Sequence, residues 1–184
     1  MRIRWLPILL LALIVIAPPA MADQMDSRLK GLFTRLQAAQ NANEAKQLEA
    51  GIWQLWLENK DPQVARKVAA GIVAMNRGEL KVALALFDEV VKQAPNYAEG
   101  WNKRASVYYI MDAYDRSLVD VARTLALEPR HFGALSGLSM IYQELGDSAK
   151  ALKALEKVQA LHPLMPGLNE RLEALREEVE GKAI

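Results

Sequence analysis

His131 and His162 are the only histidines in a chain of 184 residues that has no cysteine. An imidazole can shuttle protons or ligate a metal near neutral pH, so a search for chemistry starts there. Both stand close to prolines, Pro129 and Pro163, at positions that read as turns, and neither belongs to an H-x-x-x-H pair. Without thiolates, a metal site would have to gather carboxylates from several helices. The acids do not offer one. Asp112 and Asp115 bracket a turn, where short polar side chains bond the local backbone. Glu177 and Glu178 fall on a charged terminal helix, without the apolar wall that raises the pKa of a general acid. There is no glycine-rich phosphate loop and no G-x-S-x-G; "LSGLS" at 135–139 reads as helical packing. The basic pairs Arg66-Lys67 and Lys103-Arg104 read as solvated helix flanks, and a net charge of +1 with no basic stripe excludes a nucleic-acid surface. The expectation is a protein without catalytic residues, metal or cofactor, and not an enzyme. One cluster is left over. Trp101, Tyr108, Tyr109 and Tyr114 lie within fourteen positions, and are either a stacking site or the packing code of a scaffold.

The elements that hold these rings decide between the two. Pro95, Pro129 and Pro163 are each 34 residues apart, and so are Gly78, Asp112 and Gly146. Ala83, Ser117 and Ala151 keep the same spacing, as do Phe87, Val121 and Leu155, and Gly71, Ala105 and Ser139. Five columns in one register make a tandem repeat. Each unit reads as two amphipathic helices. In the first, residues 64–77 carry an apolar stripe that Gly78 can end, and 79–93 form a second helix that Pro95 stops. Asn96 with Glu99 offers a capping box for the next unit, and Asp147 can cap Ser148–Leu161. The composition, 52% hydrophobic with few Gly and Pro, favours helix throughout.

Trp101, Ala105, Tyr108, Tyr114, Ser117, Val121 and Pro129 match the pattern W-x2-L-G-x2-Y…A-x3-F…P, so the chain resembles the tetratricopeptide repeat (TPR) family. Leu135, Leu138, Ser139, Tyr142, Gly146, Ala151, Leu155 and Pro163 match it again. Ala70, Gly71, Gly78, Ala83, Phe87 and Pro95 do so a third time, with Lys67 where the family has a bulky ring. The resemblance implies an all-α TPR α-solenoid, a right-handed superhelix of antiparallel helix pairs, with repeats at 64–97, 98–131 and 132–165. Residues 23–63 read as an N-terminal helical hairpin, a degenerate repeat or cap that places Phe33, Leu36, Trp53 and Trp56 at packing positions. Asp61-Pro62 serves as N-cap and first-turn proline of the helix that follows. Residues 166–184 read as a capping helix with Leu168, Leu172, Leu175 and Val179 on one face.

The resemblance also implies where a partner would lie. Groove-facing positions of the family map to Val68, Ile72, Met75 and Asn76 in the first unit, to Asn102, Ser106 and Tyr109 in the second, and to Ser136, Met140 and Gln143 in the third. Ala65, Glu99, Ile110, Gly133 and Glu144 complete these columns. Apolar patches with amide and hydroxyl groups between them suit an extended peptide or a helix of another protein. The family's clamp for a terminal carboxylate is absent, because its places hold Val68, Ile72, Lys103, Gly133 and Gly137. Trp101, Tyr108 and Tyr114 occupy packing columns; Tyr109, about 100° further round the helix, turns to the groove.

The first 22 residues stand apart. Arg2 and Arg4, an apolar run from Leu6 to Ala17, Pro18-Pro19 and Ala20-Met21-Ala22 make a secretory signal of bacterial type, with cleavage expected after Ala22. The alternative is an uncleaved anchor, although Pro7 and the proline pair leave the run short of the roughly 20 residues a span needs. Either way the expected location is the periplasm, with no membrane contact beyond that segment. The functional expectation is an adaptor in cell-envelope assembly that binds another protein in its concave groove. The alternatives are a small-ligand or lipid-binding module that uses the groove as a pocket, and a dimerising structural protein; the oligomeric state is left open.

Overall fold

The computed structural model describes residues 26–181, all of whose regular elements are helices. The segment read as a secretory signal, residues 1–22, lies outside the described residues. In chain order the helices are α1 (Ser27–Gln37), α2 (Ala42–Leu57), α3 (Pro62–Asn76), α4 (Leu80–Gln93), α5 (Ala98–Ile110), α6 (Tyr114–Leu127), α7 (Phe132–Glu144), α8 (Ser148–Leu161) and α9 (Leu168–Gly181).

Local chemistry explains most of the boundaries. Asp61 accepts from the amide of Gln63, and Pro62 begins α3, where its missing N–H costs nothing. Asp147 caps α8 through the amide of Lys150. The Gly78/Asp112/Gly146 column turns each of the three repeat pairs, α3–α4, α5–α6 and α7–α8, in the left-handed region, with φ of 75°, 56° and 74°. Glycine adopts that conformation without strain, and aspartate is among the few other residues that visit it. One periodic column of the sequence is therefore one recurring backbone conformation.

Pairs α3–α4, α5–α6 and α7–α8 stack in sequence order, each second helix packing against the first helix of the next pair, and α9 closes the row against α8. Small-residue columns set the approach within each pair. A Cβ added to Gly71 would meet the Phe87 ring at 2.7 Å, so only glycine lets α3 and α4 close at that point. In the next pair Ala105 takes the place of Gly71, Val121 takes that of Phe87, and Ser117 donates from its hydroxyl to the carbonyl of Ala105 at 2.8 Å. The last pair buries Leu155 in a core that runs on into Leu168, Leu172 and Leu175 of α9.

The α1–α2 hairpin departs from this order. A degenerate repeat would stack α2 along α3, as α4 stacks along α5. Instead the hairpin packs against α5, α7 and α8. Leu29, Phe33, Leu36, Leu48, Ile52, Leu55 and Trp56 join one continuous core with Phe132, Leu135, Leu155 and Leu172. Gln37 also donates to the carbonyl of Ala160 at 3.1 Å, which ties α1 to the end of α8. The apolar face of the hairpin is thus buried on the third repeat, far along the chain from it.

Candidate partner-binding groove

The first helix of each pair, α3, α5 and α7, presents a row of side chains to the concave face, and the hairpin divides that face in two. At the end formed by the first turns of α5 and α7, α2 lies on the surface. A Cβ on Gly133 would stand 2.6 Å from Cη2 of Trp53, so the indole occupies the space that a side chain would take. Lys103 sits over the same indole, 5.1 Å from the ring centre. The Trp56 ring stacks on His131 with centroids 4.0 Å apart and planes within 7°.

Behind these rings is a buried polar chain. His131 and Glu99 are 0% and 1% exposed, which for a carboxylate demands partners. The amide of Ala134 donates to Nδ1 of His131 at 3.0 Å, which leaves Nε2 as the nitrogen that donates to Glu99, at 2.8 Å. The second carboxylate oxygen stands 2.9 Å from Nζ of Lys103, and the amide of Asn102 donates to Glu99 at 3.1 Å. Burial works against the charge on Glu99, but the His131 hydrogen bond and the Lys103 ammonium outweigh it and hold the carboxyl below its usual value. On the other side of Trp53, Nε1 donates to Glu49, which also pairs with Nε2 of His162 at 3.2 Å. The His162 contact is the main cause of the lowered pKa of Glu49.

Two expectations change here, and one gains a role. Glu99 does not close a capping box with Asn96: α5 is capped at Tyr97, and the carboxylate turns inward to His131. The two histidines stand in the connections between helices, as read, but they are buried there and anchor the hairpin. Nor is Arg104 a solvated flank. Its guanidinium grips Asp120 with two bonds of 2.7 and 2.8 Å, reaches Asp88 at 2.8 Å, and lies over the rings of Trp101 and Tyr108. It thereby joins α4, α5 and α6, and those two rings serve the scaffold. The spacing of Trp53 and Trp56 on one face of α2 was the available signal that two aromatic partners had to exist elsewhere.

The far end of the groove is uncovered. Met140 is 39% exposed, Gln143 and Asn76 are exposed, and Ile72, Met75, Ser106, Tyr109 and Ser136 are half-buried. The other two groove positions are enclosed. Val68 packs with Val64, Val90 and Tyr97, and Asn102 lies under the hairpin end beside Glu99. Tyr109 leans on the Tyr114 ring at 5.7 Å and donates to Glu144 at 3.4 Å. Burial and the Glu144 charge both push its phenol upward in pKa. Arg171 of α9, which the sequence left on a solvating helix, is half-buried. Its Nη2 is buried without a hydrogen-bond partner. Among the described residues no group of three or more His, Asp or Glu side chains is placed to hold a metal ion, and no helix is long and apolar enough to cross a membrane.

Known proteins share this architecture. Residues 134–164 match the tetratricopeptide repeat family model. A TPR repeat-containing protein of Rhizobium etli is 30% identical over 154 residues, 84% of this chain and 76% of the relative. The chain belongs to the tetratricopeptide repeat family. Solved TPR domains superpose on it. The Sgt2 TPR domain from Aspergillus fumigatus has a TM-score of 0.62 at 21% identity, covering 67% of this chain and 83% of that one. The first TPR of Spaghetti (RPAP3), bound to an HSP90 peptide, has a TM-score of 0.62 at 18% identity, covering 64% of this chain and 94% of that one. TPR arrays expose an extended concave surface for protein interaction, and here part of that surface carries the chain's own hairpin.

Proposed function

We propose that this protein is a non-enzymatic interaction scaffold that holds an extended peptide or helix of a partner protein at the open end of its concave groove. The observation that carries the reading is the contrast along one surface. Where α2 lies, its tryptophans cover Gly133 and His131; beyond it, Met140, Tyr109 and Met75 present apolar surface between the amides of Gln143 and Asn76. Small apolar pockets with amide groups between them suit a bound backbone. The Spaghetti domain, a fold neighbour, was solved with a peptide bound, which supports the same class of ligand. A pocket for a small molecule or lipid receives less support: among the described residues, clefts of ≈ 420 Å³ and ≈ 470 Å³ open beside Arg28 and Glu58, at the hairpin rather than beside Tyr109 and Met140.

Export to the periplasm and an adaptor role in cell-envelope assembly belong to the same proposal, and rest on the arrangement of residues 1–22. Cell fractionation with N-terminal sequencing checks the first part. A periplasmic chain beginning at Asp23 is expected, and a cytoplasmic chain that keeps Met1 would overturn it. For the groove, the test is crosslinked capture from a periplasmic extract with the mature chain, beside a Tyr109→Ala/Met140→Ala variant. Loss of the captured species in the variant is expected; unchanged capture would show that the partner binds elsewhere.

A further inference from the structure

We infer that the outer side of α3 is a docking surface for a second copy of this chain, met head to tail through the acidic face of that copy's α9. Arg66, Ala70, Val73 and Arg77 line this side, which at helical spacing lies opposite the groove positions Val68, Ile72 and Met75.

The columns of the repeat give this side a purpose. Val73, Val107, Ile141 and Leu175 recur every 34 residues. Val107 packs with Ala74, Ala83 and Phe87 of the preceding pair, Ile141 packs with Ala105 and Val121, and Leu175 joins the core beside Leu155 and Val158 of α8. Those three are at most 1% exposed, whereas Val73 is 48% exposed. Gly100, Ala134 and Leu168 are buried in the next column, and Arg66 in that column is exposed. Ala70 is exposed too, while Arg104 in its column reaches back to Asp88 of α4 and Leu172 is buried. Each later unit thus uses this side to sit on the one before it. Among the described residues α3 has no such cover, because the hairpin lies on the third repeat. Arg66 gives the physical reason. A Cβ on Gly100, its counterpart, would already stand 2.7 Å from Val90, so an arginine at that place keeps a repeat of ordinary spacing from closing on α3.

What fits here must carry negative charge around a small apolar centre. Arg66 and Arg77 are exposed at the two ends of the stripe, and neither is ion-paired among the described residues. The neighbouring acid Glu89 is already taken by Lys67 at 2.8 Å. Two α3 faces brought together about a two-fold axis would set arginine against arginine, so an isologous pair is disfavoured. The other end of the array offers the complement. Leu168, Leu172 and Leu175 of α9 are buried, and its opposite side presents Glu170, Glu173, Glu177 and Glu180 around Ala174, all exposed and none ion-paired among the described residues. At 1.5 Å per residue, Arg66 and Arg77 are about 16 Å apart along α3, and Glu170 and Glu180 about 15 Å apart along α9. Laid antiparallel, the two helices set Ala174 on Val73 with acid facing arginine at both ends. The surfaces differ and belong to opposite ends of one molecule, so each copy added leaves another of each kind open and assembly runs past a dimer.

Sedimentation velocity of the purified protein over a range of concentrations tests this. In about 0.01 M salt, where charges act over about 30 Å, the weight-average mass should rise with concentration beyond two chains. In about 1 M salt, where that reach is about 3 Å, it should fall back to one chain. Arg66→Glu/Arg77→Glu and Glu170→Lys/Glu177→Lys/Glu180→Lys should each stay single in low salt. Mixed in equal amounts they should assemble again, because each supplies the face that the other's reversed end needs. Lys30→Glu/Arg35→Glu puts the same charge change on exposed positions of α1 as the arginine reversal puts on α3, and should assemble like the wild type. Single chains in low salt, a mass that stops at two, assembly that survives the α3 reversal, a mixture that stays apart, or an α1 variant that no longer assembles would each overturn the inference. The groove reading stands or falls separately, on the capture experiment with Tyr109→Ala/Met140→Ala.

Discussion

The two ends of the concave face are built from the same helices, α5 and α7, yet they have opposite fates. At one end Glu99, Lys103 and Gly133 meet α2, with Glu99 bonded to His131 and Lys103, and Lys103 over the Trp53 ring. At the other end Met140 and Gln143, about two and three turns further along α7 than Gly133, meet solvent. The difference does not lie in the repeat. It comes from a hairpin that buries its two tryptophans where the third repeat begins. A repeat thus supplies a surface, and an appended element decides how much of that surface is free for a partner.

Breaking the covered end should have the largest effect. Trp56→Ala removes the ring that stacks on His131 and packs against Phe33 and Phe132. Aromatic truncation in a core costs about 3–5 kcal/mol, and urea denaturation should register a loss of that size. Amide hydrogen exchange should find the added opening concentrated in α1 and α2, with α3–α6 protected as before. Gly133→Ala is a finer cut. Its Cβ would strike Cη2 of Trp53, so overpacking of about 1–3 kcal/mol is expected, accompanied by a shift in tryptophan fluorescence. Gly71→Ala, which strikes Phe87 instead, should cost a similar amount but loosen α3 and α4 and leave the hairpin in place. A Gly133→Ala protein whose hairpin exchanges no faster than wild type would refute the assignment of α2 to this surface.

The smallest effect is a dependence on pH. Glu99 and Glu49, which fasten the hairpin, both have folded-state pKa values below the ordinary 4.5. The unfolded chain therefore binds protons first as the pH falls. Their contribution is fully present above about pH 4.5 and disappears as the pH drops through the lowered values. Glu99→Gln should flatten that acid limb while keeping a hydrogen bond from His131. A limb of unchanged slope would mean that the carboxylate does not hold the hairpin.

How much of this could be read from the sequence follows from what a period can report. Equal spacing of Pro95, Pro129 and Pro163, and of Gly78, Asp112 and Gly146, reports recurring backbone geometry, and the turns at those three sites share one left-handed conformation. Helical spacing also separated Tyr109 from Tyr108, and the structure places the first beside Glu144 and the second under Arg104. What a period cannot report is contact between elements outside it. Trp53 and Trp56 showed a sticky face on α2 but not its partner. Glu99 stands at the third residue after Asn96, where a capping glutamate belongs; only the fold brings His131 to it, from 32 positions away. Arg104 looked solvated because Asp88 and Asp120 are each 16 positions distant, on the neighbouring helices.

The docking of the hairpin is the claim on which the divided groove depends, and the absence of cysteine makes it directly measurable. Gln37→Cys with Ala160→Cys puts thiols on α1 and at the end of α8, where the Gln37 side chain meets the Ala160 carbonyl at 3.1 Å. A short bismaleimide should join the two within one chain, with a yield that does not fall on dilution. If the pair fails to crosslink in the folded protein, the hairpin does not lie on the third repeat, and the division of the groove falls with it.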